Sequence, residues 1–261
     1  MTNIQFVRSA IDAGGCVSNA LDLVKQNYGM YLGIAVVAMI LAGCIPCISL
    51  FLVGPILAGV YYVVLREMRG EPVEFGMMFK GFDKFVPLMV IGLIQSVPEI
   101  IGQGLRVVTQ VGQIGLNGGR NRNYDFFQSS GNPELAIASG ILILIAIVAI
   151  VLILFSIVWR VLLFFAIPLA LEYEIGAVDA IKLSAKAATS NIGGLIVLFI
   201  FEFLIALLGI LALCIGLFFV IPIIYAANAF AYRQVFPWVG ETFNMAPPPP
   251  GAYGSNFGSG M

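Results

Sequence analysis

The chain has 261 residues, of which 60% are hydrophobic and 10% are charged, and its formal net charge is −1. Soluble domains carry about 25% charged residues, so this composition excludes an ordinary soluble protein. The near-neutral charge offers no basic surface for nucleic acid. The absence of histidine removes the commonest general base and the commonest transition-metal ligand.

Five long apolar stretches dominate the sequence, at residues 30–65, 85–101, 135–171, 192–213 and 215–231. A helix of about 20 apolar residues spans the roughly 30 Å hydrocarbon core of a bilayer. The pattern therefore predicts an all-α, polytopic membrane protein. We expect about six transmembrane helices in three hairpins, with amphipathic helices at the membrane interface.

The first 28 residues carry charges and no apolar run, which argues against a cleavable signal peptide. A weak apolar stripe of Val17, Leu21 and Val24 predicts that residues 1–28 form a cytoplasmic or interfacial amphipathic segment. The first transmembrane helix would then direct insertion into the membrane.

The apolar stretch 30–65 is too long for one crossing and is interrupted by glycine and proline. We predict two helices, at about 29–45 and 48–66, joined by a tight turn at Cys44 and Cys47. The CxxC spacing of these cysteines is also found in redox and metal sites. No other polar ligand lies nearby in the sequence, and a CxxC pair in an apolar helix turn is usually just a pair of small buried apolar side chains.

A second amphipathic stretch precedes the middle hairpin, with two lysines on its opposite face. Its apolar residues at helical spacing are Phe75, Met78, Phe79, Phe82 and Val86. The hairpin itself begins with a helix at 86–110, broken by Pro98, and continues through a polar loop at 112–133. Its second helix, 135–171, exceeds the bilayer thickness and must tilt, kink or project.

A third amphipathic stretch precedes the last hairpin, which we predict at 193–213 and 216–233. Its apolar stripe is Val178, Ile181, Ala185 and Ala188. Stretches of this kind lie in the membrane interface or serve as plain cytoplasmic connectors. Residues 29–236 would form a single membrane domain, and the Pro/Gly-rich residues 237–261 a disordered cytoplasmic tail.

The first and last hairpins share a series of landmarks in the same order, which predicts an internal repeat, although apolar segments also match by chance. In each hairpin an arginine follows the proline by eleven residues. The landmarks are Asn27, Cys47, Pro55 and Arg66 in the first hairpin and Asn191, Cys214, Pro222 and Arg233 in the last.

The distribution of lysine and arginine predicts the orientation, because cytoplasmic loops are enriched in both. With six crossings, nine of these residues fall on one side and three on the other. Both termini are then expected in the cytoplasm. The three on the opposite side are Arg106, Arg120 and Arg122, while Arg160 lies near the inner end of the fourth helix.

Two segments carry a family resemblance. The segment from Leu65 to Phe82, with Arg66, Gly70 and Glu71, and the later Ala180–Ser184 stretch before a glycine-led helix pair resemble a large group of uncharacterised bacterial membrane proteins. That group is similar to the membrane-embedded domain of some glycerophosphodiester phosphodiesterases. The resemblance would cover about residues 20–236, with loop 112–133 as an insertion. It implies a bacterial cytoplasmic (inner) membrane location and, without the soluble phosphodiesterase domain, no carry-over of that activity.

Charged residues within apolar stretches are costly and mark candidate functional sites. Glu202 is the first candidate, and we expect it to be buried against protein and not exposed to lipid, with Arg160 as its partner. Glu99 and Arg106, two helical turns apart, form a second pair. Each pair would serve as a proton or substrate site, or as a structural ion pair. Arg160 could also snorkel to the interface beside Trp159.

No nucleophile elbow, Walker loop or dinucleotide motif is present in the sequence. We therefore expect no enzyme activity, catalytic residue, metal site or cofactor. The predicted function is a non-enzymatic membrane module that packs with itself or with partner membrane proteins in the lipid bilayer. A small-solute or ion transporter or channel is the alternative, because repeated hairpins and broken helices also suit transport.

Overall fold

The computed structural model describes residues 4–43, 46–117, 133–211 and 215–238. All regular secondary structure in these ranges is helical, which confirms the predicted fold class. These ranges contain ten α-helices and one 3-10 helix, which lies between α3 and α4. They are α1 (Ala13–Gln26), α2 (Tyr28–Gly43), α3 (Pro46–Glu67), the 3-10 helix (Phe75–Phe82), α4 (Phe85–Gln95), α5 (Val97–Asn117), α6 (Pro133–Leu162), α7 (Ala166–Tyr173), α8 (Ala177–Ser190), α9 (Ile192–Leu211) and α10 (Ile215–Val235).

Within the described ranges, four helical segments are long and apolar enough to cross a membrane, in α3, α6 with α7, α9 and α10. Two further spans are possible if each bent pair counts as one. The α1–α2 pair bends by 101° and the α4–α5 pair by 47°. The described chain therefore holds four to six candidate spans, within the predicted number.

The chain divides into two compact units that interleave along the sequence. The first unit comprises residues 1–37, 60–78 and 186–261, and the second comprises residues 38–59 and 79–185. The prediction of one membrane domain at 29–236 remains a prediction, as does a disordered tail, of which residues 237 and 238 alone lie within the described part.

In the first unit, α1 packs against α9 and α10. Its buried stripe is Ala13, Cys16, Ala20 and Val24. Of the predicted apolar stripe, Val24 is buried, whereas Val17 and Leu21 are half-buried. Small residues at 13, 16 and 20 let the helices approach closely. Close packing, and not the size of the apolar side chains, therefore determines which face of α1 is buried.

The N-terminal segment before α1 is also fixed in the first unit. The Val7 amide donates to the Val235 carbonyl at 2.9 Å, and the Ser9 amide donates to the Ser190 carbonyl at 3.3 Å. A Cβ placed on Gly194 would lie 2.6 Å from the Ile11 side chain. The segment therefore lies directly on the beginning of α9.

In the second unit, α4 packs with α7 and α5 packs with α6. A Cβ placed on Gly92 of α4 would lie 2.6 Å from the Gly54 backbone nitrogen of α3, so these two backbones meet at glycines. The break predicted at Pro98 is confirmed, because α4 ends at Gln95 and α5 begins at Val97.

Two boundaries in the middle hairpin differ from the prediction. Helix α5 continues to Asn117, so the predicted loop 112–133 is wrong over 112–117; residues 118–132 lie outside the described part. The long helix predicted at 135–171 is interrupted by a turn at 163–165, which divides it into α6 and α7.

The other two amphipathic stretches also form helices, and the residues of their apolar stripes differ in exposure. In α8 the buried residues include Ala180, Ser184 and Ala187, whereas Val178 is 59% exposed. In the 3-10 helix Met78 is buried, whereas Phe75 and Phe79 are 41% and 46% exposed. Both helices therefore bury smaller or more flexible side chains and present bulky apolar ones outward.

Candidate functional site

Glu202 lies on the inner face of α9, together with Leu195, Leu198 and Gly209. Its side chain is 7% exposed, which confirms the expectation that it lies against protein and not against lipid. Asn228 on α10 is also buried, at 5% exposure. Asn228 was not predicted as a site residue, although an asparagine within the apolar stretch 215–231 is a visible signal.

The partner predicted for Glu202 belongs to the other unit. Arg160 is exposed in the last turn of α6. Their pairing remains a prediction. Glu99 and Arg106 both lie on α5, two turns apart as expected, and both are exposed. The described residues therefore place one of the four candidates, Glu202, in a buried setting.

A cavity of about 360 Å³ lies in the first unit, where the C-terminal parts of α1, α3 and α10 meet. Its polar lining is Gln26, Glu67, Arg233 and Trp238, and its apolar lining is Leu23, Met68, Phe230 and Pro237. These residues come from three separated stretches of sequence. No local motif joins them, so the sequence analysis missed this cavity.

Arg233 is the buried cation of this cavity, at 8% exposure. Its Nη1 donates to the Phe236 carbonyl at 3.3 Å. Its guanidinium carbon lies 4.6 Å from the Trp238 ring centroid, within cation–π range. Arg69 approaches the same ring, at 5.6 Å, so two guanidinium groups share one indole.

Glu67 is the anion of the cavity and is held by neutral donors from α2 and the preceding turn. Asn27 Nδ2 donates to Oε1 at 2.7 Å, and the Tyr31 hydroxyl donates to Oε2. Arg66, next to it in sequence, pairs with Glu71 at 2.8 Å. The end of α3 is therefore a polar cluster fixed by side-chain hydrogen bonds.

The second unit contains side chains that satisfy the carbonyl groups at its helix breaks. The Ser184 hydroxyl accepts from the Phe165 amide at 3.0 Å and donates to the Leu162 carbonyl at 2.8 Å. Gln95 Nε2 donates to the Leu163 carbonyl at 2.9 Å. Lys84 Nζ donates to the Leu171 carbonyl at 2.8 Å and pairs with Glu174 at 3.0 Å.

Within the described ranges, no group of three or more histidine, cysteine, aspartate or glutamate side chains is arranged to hold a metal ion. The fold and these sites define a helical protein with several apolar segments of membrane-spanning length. Comparison of the chain with protein-family models, with curated proteins and with solved structures finds no match. The predicted family resemblance therefore remains a prediction.

Proposed function

We propose that this chain is a non-enzymatic membrane module that packs with a second copy of itself or with partner membrane proteins. The observation that carries the proposal is the exposure of α6. In the 18-residue apolar segment of Leu144–Tyr173 that would cross the membrane, 11% of the residues are buried, compared with 56% in the corresponding segment of α3. A span with so little intramolecular packing leaves most of its sides to lipid or to another helix.

The outward residues of α6 are suited to either neighbour. Ile147, Ile150 and Leu154 are all more than half exposed and carry no polar atom. In lipid, close van der Waals packing drives helix association, because the acyl chains already satisfy the hydrophobic effect. A second helix along this face would gain packing that fluid lipid does not supply.

We place the protein in a bacterial inner membrane with both termini in the cytoplasm. The helices α1, α3 and α10 each carry a basic residue in the last turn, namely Lys25, Arg66 and Arg233. In the second unit, the Phe82 ring contacts those of Phe79 and Phe85, with centroids 6.3 Å and 6.4 Å apart. Lys80 and Lys84 lie between these phenylalanines in the sequence. Aromatic and basic side chains together are typical of a cytoplasmic membrane interface.

The order of elements supports the proposed internal repeat. Helices α1 and α8 each contain 14 residues, and each is followed by one asparagine, Asn27 or Asn191, before the next helix begins. Pro55 and Pro222 lie inside the second helix of their hairpins, α3 and α10. The similarity of the two hairpins extends one residue beyond Arg66 and Arg233. The next residues, Glu67 and Gln234, each accept a hydrogen bond from a side chain, that of Asn27 and of Cys16 respectively.

The self-association proposal is tested by native mass spectrometry of the full chain in lipid nanodiscs and after gentle extraction. We expect a dimer or a complex with a stoichiometric membrane protein. Ile150→Trp together with Leu154→Trp should disrupt it, because two indoles would alter one exposed face of α6. Val86→Trp, in the first turn of α4 at a position that is 64% exposed, is the matched control. A wild-type protein that is monomeric and without partners in every preparation would contradict the proposal.

Transport is the second candidate, and the buried polar residues of α9 and α10 favour it. Glu202 and Asn228 are both buried within apolar helices. The bends between α1 and α2 and between α4 and α5 resemble the broken helices of transporters. Proteoliposomes loaded with a pH-sensitive dye provide the test: proton-coupled flux that Glu202→Gln abolishes, with insertion unchanged, would support transport. Equal flux in both proteins would contradict a role for Glu202.

A further inference from the structure

The cavity bordered by Arg233 and Trp238 lies at helix ends that carry basic side chains. The C-terminal turns of α1, α3 and α10 converge there, and each carries a basic residue. Basic side chains at helix C-termini offset the negative end of the helix dipole. If this end faces the cytoplasmic leaflet, as proposed above, it lies at the level of anionic lipid headgroups.

Arg233 and Arg69 are positioned for recognition of a phosphate. The guanidinium carbons of Arg233 and Arg69 lie 4.6 Å and 5.6 Å from the centroid of the Trp238 ring, so both groups lie beside the same indole. Stacking occupies the face of a guanidinium, whereas its N–H groups donate in the plane and match the oxygens of a phosphate. Burial of Arg233 strengthens such an interaction relative to an exposed arginine.

The remaining lining decides between kinds of phosphate. Leu23, Met68, Phe230 and Pro237 make half of the cavity wall apolar, which suits the glycerol and first acyl carbons of a lipid. Glu67 lies in the same wall and would repel a dianion more strongly than a singly charged group. A phosphodiester carries one negative charge and is linked to an apolar body, and so fits both features.

We propose that this cavity binds the phosphodiester headgroup of an anionic phospholipid, with Arg233 and Arg69 as its cationic contacts. The apolar wall contacts the glycerol and upper acyl carbons. Trp238 holds the two arginines in place; its Nε1 is buried and has no hydrogen-bond partner among the described residues, which makes it a further donor for a phosphate oxygen.

The test is isothermal titration calorimetry of the full chain in a neutral maltoside detergent. The probes are dihexanoyl-phosphatidylglycerol, dihexanoyl-phosphatidylcholine and inorganic phosphate. We expect saturable binding of the phosphatidylglycerol. Inorganic phosphate, which lacks the apolar body, and the phosphatidylcholine, whose trimethylammonium group the two arginines repel, should bind about fivefold or more weaker. This measurement depends on neither topology nor self-association, so its failure is distinguishable from failure of the proposed function.

The variants are chosen so that a folding defect cannot imitate a binding defect. Arg69 is exposed, so Arg69→Gln should fold normally, as should the matched control Arg106→Gln on α5. We expect about fivefold weaker binding for Arg69→Gln, about tenfold or more for Arg233→Gln, and no change for Arg106→Gln. Absence of saturable binding, or equal effects of Arg69→Gln and Arg106→Gln, would overturn the proposal. Inorganic phosphate binding as tightly as the lipid would overturn the lipid assignment in favour of a soluble phosphate ligand.

Discussion

Trp159 donates its indole N–H to the carbonyl oxygen of Ile94 at 2.7 Å. In an uninterrupted helix this carbonyl would accept from the amide of residue 98, but Pro98 has no N–H. The side chain of α6 thus replaces the hydrogen bond that the proline removes at the α4–α5 bend. Within a membrane no water is present to donate to this carbonyl instead. A helix break in that environment is therefore tolerated where a side chain supplies such a hydrogen bond.

Trp159→Phe should destabilise the second unit by about 0.5–1.5 kcal/mol, because it removes this hydrogen bond to the part-buried Ile94 carbonyl while preserving most of the ring. Thermal unfolding in detergent micelles measures the change. Phe155→Leu, one turn earlier on α6, is the control for loss of ring packing. Equal stability of Trp159→Phe and wild type would contradict the role assigned to the indole N–H.

Ser184→Ala should also destabilise the protein, by about 1–3 kcal/mol, because the Phe165 amide and the Leu162 carbonyl at the α6–α7 turn both lose a partner. Denaturant titration followed by circular dichroism measures the loss. Ser190→Ala is the matched control, since the Ser190 hydroxyl bonds to the Lys186 carbonyl in an exposed position. A larger effect at Ser190 than at Ser184 would show that this account of the turn is wrong.

Asn191 fixes the N-terminal segment on the α8–α9 corner. Its Oδ1 accepts from the Ala10 amide at 2.9 Å, and its Nδ2 donates to the Val7 carbonyl at 3.0 Å. Asn191→Ala should therefore speed amide hydrogen exchange of Ala10 about tenfold or more, because one buried hydrogen bond contributes about 1.5 kcal/mol. Exchange measured by mass spectrometry on peptides covering residues 4–12 provides the readout. Unchanged exchange there would contradict the attachment.

Cys16 should be unreactive in the folded protein. Its side chain is fully buried, and burial, followed by the nearby Asp12 carboxylate, raises the pKa of the Cys16 thiol from 9.0 to about 12. Because the folded pKa is the higher one, the stability from this thiol is complete below pH 9 and is lost as pH rises towards 12. In a variant with the other three cysteines replaced by serine, maleimide should label Cys16 only after denaturation. Rapid labelling at pH 7.5 would refute this.

Local sequence signals predicted the positions of most helices and the break at Pro98. Proline and glycine act through the backbone of their own segment, so their effect is visible in the sequence. Trp159 and Ser184 were not predicted as partners of the breaks, because each bonds to a carbonyl many residues away. That pairing depends on how the helices pack, which a single sequence does not encode in a readable pattern.

The apolar stripes of the amphipathic helices do not identify the residues that are buried in the protein. Ala20 and Ala180 are buried, whereas Val178 is exposed. In a membrane protein the outside is apolar as well, so size and hydrophobicity no longer mark the inner face. Of the candidate site, the burial of Glu202 could be predicted; the cavity at Arg233 could not, because it joins three distant helix ends.

The central claim is that the chain crosses a membrane several times and that the helix ends carrying Lys25, Arg66 and Arg233 lie on the cytoplasmic side. Single cysteines at Arg69, Lys182 and Asn123, introduced into a cysteine-free variant, test it through labelling by a membrane-impermeant maleimide in intact cells. The account predicts labelling at position 123 in intact cells, and at positions 69 and 182 only after the membrane is opened. Labelling of position 69 or 182 in intact cells, or a protein recovered from the soluble fraction, would contradict it.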